Sequence, residues 1–220
     1  MSNLCVYSHS ERHAARRTVS GYGEWVEGRI AEGYTAYLLT FMFDPLPASS
    51  QAERITLMHA DIERVYGRLA RRFANHPKKP SQHAMLPTLI ASPDLPVFKH
   101  QKGGLIDVTV NDGLHVHGIL LRPAVSRFEG RLEPWLYEND IRLMRDTRLR
   151  FIHIVKIDRT PGSATRYALK ALGARIEMDS LLVLPKSASE RLDTTARGYD
   201  EAVNTEGGAT VFSRGGRRWR

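Results

Sequence analysis

The chain has 220 residues, 42% hydrophobic and 25% charged, which suits one domain with tails, or at most two small ones, and excludes global disorder and a fibrous fold. No apolar run approaches the ~20 residues that cross a bilayer, and Cys5 is the only cysteine, which excludes an internal disulfide framework and a multi-cysteine zinc site. Residues 1–33 carry no signal-peptide pattern, so a cytoplasmic protein with no membrane partner is expected. Lys+Arg number 32 against 24 Asp+Glu, a net charge of +8, and this balance points to an anionic partner, nucleic acid first.

Residues 1–33 read as an N-terminal extension. Tyr34–Asp44, YTAYLLTFMFD, is apolar on both alternating faces, the pattern of a strand covered on both sides. Ser50 and Glu53 form a capping box ahead of an amphipathic helix whose apolar positions are Ile55, Met58, Ile62, Val65, Leu69 and Phe73. His76–Pro96 contains Pro77, Pro80, Pro87, Pro93 and Pro96, so an irregular excursion with no regular element is expected. Gly104–Val110 and Leu114–Leu121 read as a hairpin around the three-residue loop Asn111-Asp112-Gly113. In that register Asp107 lies opposite His117 and Thr109 opposite His115, all on one face.

Glu133–Thr147 reads as a helix and Leu149–Ile157, LRFIHIVKI, as a strand. Pro161 opens a short helix running to Leu172 and ended by Gly173, and Leu181–Leu184 is a last short strand. The order predicts an α+β fold, a central antiparallel β-sheet with helices on one face, over 34–186. Residues 187–220, ending in the arginine-rich SRGGRRWR, read as a disordered basic tail.

His115 and His117 are two apart on a strand, so their imidazoles project from one side and converge as a divalent metal requires. Asp107, by the hairpin register, supplies a carboxylate; Asp112 is a rival third ligand. Two histidines and a carboxylate leave positions open for a phosphate oxygen and water, which suits Mg²⁺ or Mn²⁺ in catalysis. On the later helix Tyr167 and Lys170 share a face. A neighbouring cation favours the phenolate of a tyrosine nucleophile.

In this order, HVHG at His115–Gly118 followed by YALK at Tyr167–Lys170, with AYLLTFMFD at Ala36–Asp44 upstream, the sequence resembles the HUH endonucleases, specifically the one-tyrosine replication initiators of rolling-circle plasmids, phages and viruses. The resemblance spans Tyr34 to Leu184. It implies an RRM-like or ferredoxin-like nuclease fold in which His115 and His117 hold a divalent metal, Tyr167 attacks a DNA phosphate and Lys170 positions or neutralises the reacting groups. The implied substrate is single-stranded or hairpin origin DNA, nicked through a 5′-phosphotyrosine. No G-x-x-x-x-G-K-[ST] occurs in the chain, so unwinding and synthesis fall to a separate host helicase and polymerase.

A one-tyrosine transposase shares the same residues, and a noncatalytic nucleic-acid-binding domain is the non-enzyme alternative. His153, alternating with apolar residues, reads as a core or sheet-face histidine. Arg64, Arg68, Arg71, Lys78, Lys79, Arg166, Arg217 and Arg218 are the candidate DNA-backbone contacts.

Overall fold

The computed structural model describes residues 8–95 and 110–186. Contacts divide the chain after Pro185, and all described elements belong to the first unit. The elements are α1 (His9–Ala31), β1 (Thr35–Phe43), α2 (Gln51–Phe73), β2 (Thr88–Asp94), β3 (His115–Arg122), α3 (Leu132–Glu138), α4 (Asp140–Met144), β4 (Leu149–Lys156), α5 (Pro161–Ala168) and β5 (Leu182–Leu184). The strands form one antiparallel sheet in the order β4-β1-β3-β2-β5, so the fold is α+β. No helix among the described residues is long and apolar enough to cross a membrane. The basic tail expected over 187–220 lies outside the described residues.

Both long helices begin with a capping box, Ser8 with Glu11 on α1 and Ser50 with Glu53 on α2, each pair satisfying otherwise orphaned N–H groups. The apolar stripe of α2 lies against Leu39, Phe41, Leu89, Leu120 and Ile152, one face of the sheet. Met58, Ile62 and Phe73 are fully buried there, each contributing about 1.5–3 kcal/mol. The expected helix from Glu133 to Thr147 is two short ones, α3 and α4, whose Leu136 and Leu143 join the same layer.

Helices on a single face do not describe this sheet: α5 lies across the opposite face, where the Tyr167 ring sits 5.2 Å from that of His117. Helix α1, within the stretch read as an extension, packs closely on α5 at Gly23. A Cβ on Gly23 would lie 3.3 Å from the Gly162 carbonyl oxygen. The Glu27 carboxylate accepts the Gly162 N–H at 3.1 Å, placing negative charge at the start of α5. Beyond α5, Gly173 takes φ +65°, and a Cβ there would meet that of Ala15 at 2.0 Å.

The expectation of an irregular segment over His76–Pro96 is overturned by β2. Its start is fixed by the Tyr66 hydroxyl, which donates to the Pro87 carbonyl at 2.6 Å. Pro93 is tolerated because β5 pairs with β2 only at Leu89–Ala91, leaving Pro93 beyond β5 on that side. The expected coverage of β1 on both sides is also incomplete. Tyr37, Leu39, Phe41 and Phe43 are buried, whereas Leu38, Thr40 and Met42 on the other face are only partly so.

Gly173→Ala combines a left-handed backbone with a steric overlap against α1, and is expected to lower stability by about 2–4 kcal/mol in urea unfolding. Unchanged stability in that variant would show that α1 does not hold this position.

Candidate metal centre

Strand β3 lies between β1 and β2, and this pairing builds the site. His117 is opposite Thr40 on one side and Ser92 on the other, and His115 is opposite Asp94. Both edges of β3 are thus occupied, which overturns the hairpin register that put Asp107 opposite His117. Asp107 and the expected strand from Gly104 to Thr109 lie outside the described residues. The carboxylate that meets both imidazoles is Asp94, whose Oδ2 is 3.8 Å from His115 Nε2 and 3.6 Å from His117 Nε2. Asp112, the rival ligand, instead bonds Arg54.

The ligand atoms of Asp94, His115 and His117 lie within 4.8 Å of one another, a group able to hold a metal ion. The two Nε2 atoms are 3.1 Å apart. Ligands about 2.1 Å from a shared ion stand about 3.0 Å apart at a right angle and about 3.4 Å apart at a tetrahedral one, so the spacing fits.

The second nitrogen of each ring is also committed. His115 Nδ1 lies 2.9 Å from the Gly113 carbonyl, which can only accept, so neutral His115 keeps its Nε2 lone pair facing the site. The turn supplying that carbonyl, with Asn111 and Asp112 at φ 54° and 56°, is pinned by Asn111, which accepts the Leu46 N–H at 2.8 Å. Thr40 Oγ1 lies 3.0 Å from His117 Nδ1 and accepts its N–H in the tautomer that leaves Nε2 as a ligand. Burial, then the neighbouring His115, push His117 down to about 4 against the opposing pull of Asp94. Its ring is therefore neutral at pH 7, the form that ligates metal.

Helix α5 and the turn after it bring in the other two candidates. Lys170, just past the helix end, bonds Asp94 Oδ2, and its Nζ lies 4.2 Å from the Tyr167 ring centroid. Tyr167 is half exposed, at 50%. His115, His117, Tyr167 and Lys170 therefore meet at one place, although they come from separate elements.

Asp94 escaped the sequence reading because the prolines around it argued against a strand. The available signal was the apolar run Leu89-Ile90-Ala91 leading to an acidic residue at the strand end. His153 stands opposite Thr40 on β4 and is exposed, a sheet-face residue outside the Asp94 cluster.

The proposed DNA contacts divide between locations. Arg64 bonds the buried Asp61 at 2.6 Å, Arg68 bonds the carbonyls of Leu143 and Arg145, and Arg71 is exposed on the same helix. Lys78 and Lys79 are exposed ahead of the 3-10 helix Pro80–Met85. Arg166 lies beside Tyr167 on α5 and bonds Ser163. Arg217 and Arg218 fall outside the described residues. The chain matches no family model, no curated protein and no solved structure.

Asp94→Asn and His117→Ala are each expected to weaken Mn²⁺ binding by ten- to a hundredfold or more in titration calorimetry, and Thr40→Val by about tenfold. Asp107→Asn is expected to leave it unchanged; the reverse pattern would move the third ligand to Asp107.

Proposed function

We propose that the chain is a metal-dependent endonuclease that nicks and rejoins single-stranded DNA through Tyr167, as a replication initiator of the rolling-circle type does. The observation that carries this reading is the meeting of the Asp94–His115–His117 cluster with Tyr167 and Lys170. Asp94, His115 and His117 would hold Mg²⁺ or Mn²⁺, whose chemistry when bound is to polarise a phosphate oxygen. The Tyr167 hydroxyl gives up its proton and its oxygen attacks phosphorus. The P–O3′ bond breaks, the departing 3′-oxygen takes up a proton, and the 5′-phosphate stays on Tyr167. Attack by a 3′-hydroxyl reverses these steps, conserving the bond without ATP. Lys170 offers the positive charge that favours the phenolate.

The choice of a single strand rests on the open part of the same sheet face. Phe151 and Val155 of β4 are exposed at 43% and 46%, opposite Met42 and Leu38 of β1. Unpaired bases stack on such a surface, whereas duplex bases are already stacked on one another. In this role the protein depends on a separate helicase and polymerase, and origin DNA in single-stranded or hairpin form is the substrate.

Incubation with a pool of labelled single-stranded oligonucleotides and Mn²⁺ is expected to give a denaturant-resistant adduct that Tyr167→Phe and His117→Ala both abolish. Phe151→Ala is expected to lose about 1–3 kcal/mol of single-strand affinity while retaining Mn²⁺ binding. Binding to the pool with no adduct, unaffected by Tyr167→Phe, would replace the nuclease with a noncatalytic binding domain. Joining of two unlinked DNA ends without origin specificity would favour a transposase.

A further inference from the structure

A cluster of positive charge lies on the other side of the sheet from Tyr167. A cleft of about 460 Å³ is lined by Arg68, Arg71 and Arg72 of α2, Arg127 from the loop after β3, Arg142 of α4 and Arg145 before β4, with Trp135 of α3 at one wall. Among the described residues, Asp146 is the only carboxylate lining it. That carboxylate is already shared by Arg68 at 3.7 Å and Arg145 at 3.5 Å. Arg68 is further committed to the carbonyls of Leu143 and Arg145, which ties α4 to α2.

The other guanidinium groups of the cleft have no carboxylate partner among the described residues. The Arg127 guanidinium bonds the neutral side chain of Asn75, and Arg72 lies over the rings of Phe128 and Trp135, 5.8 and 6.0 Å from their centroids. Arg71 and Arg142 are exposed with no ion pair among the described residues. Like charges gathered in a concave site repel, and a multivalent anion relieves that repulsion. The groups come from separate elements across the cleft, a spread that matches successive phosphates better than one small anion. Their planar forks suit phosphodiester oxygens, and Trp135 adds a ring surface.

We infer that this cleft is a second nucleic-acid site, which binds the phosphodiester backbone of a segment other than the one at Tyr167. Binding there does not depend on the nicking chemistry, because the arginines of the cleft share no contact with Asp94, His115, His117 or Tyr167.

The test uses the full chain with Arg71→Gln/Arg142→Gln, two exposed positions whose loss removes no packing, and fluorescence anisotropy on a labelled 20-mer in single-stranded and duplex forms. Affinity for at least one form is expected to fall about tenfold or more at ~0.1 M salt, with the slope of log K against log salt reduced by about 1–2. Mn²⁺ affinity and any Tyr167 adduct chemistry on saturating DNA are expected to persist. Arg16→Gln/Arg17→Gln removes the same charge from the exposed face of α1 and is the control. An equal loss in both double variants would reduce the effect to net charge and overturn the site. Tripolyphosphate binding that needs Arg71 and Arg142, with nucleic-acid binding unchanged, would also overturn it in favour of a small polyphosphate.

Discussion

Everything at the candidate centre depends on the antiparallel ladder that seats β3 between β1 and β2. Side chains directly opposite on neighbouring strands share a face, so one register delivers Thr40 and Asp94 to the two histidines together. A slip of one residue would turn His115 and His117 into the apolar layer beneath α2. The alternation of β1 opposes such a slip, because Tyr37, Leu39, Phe41 and Phe43 are the residues that this layer buries.

The sheet thereby separates two chemistries. Its α2 side is a dry core whose outer rim carries arginines, and its other side is partly covered by α1 and α5 and open at β4. The partly covered side shelters the Asp94–His117 pair and leaves the tyrosine open: Asp94 is 2% and His117 6% exposed, against 50% for Tyr167. Shelter also explains why His117 holds no proton at neutral pH, since desolvation disfavours the imidazolium.

Strands β1 and β3 and helix α2 were legible because each is local. A two-residue period, a capping box and a proline at a helix start are written within a few positions. Helix α1 was not, because its apolar positions are few and much of its contact with α5 is through glycine and alanine, which leave no periodic signature. Asp94 was hidden for a related reason. Pro93 reads as a strand breaker until β5 is seen to stop pairing at Ala91, and that is a fact of tertiary structure. The expected hairpin failed at the same point: Asn111-Asp112-Gly113 does form a tight turn, but what it leads β3 toward is decided by strands distant in sequence.

The contact between α1 and α5 governs the tyrosine in a particular way. Where two helices meet through long side chains, rotamer changes absorb small shifts; where Gly23 rests on the backbone of Gly162, with the Glu27 carboxylate bonded beside it, the two main chains come into direct contact. A tilt of α1 therefore bears on the backbone of the helix that carries Tyr167. The placement of the Tyr167 main chain is thus tied to a close backbone approach by α1, while its ring meets His117 and Lys170.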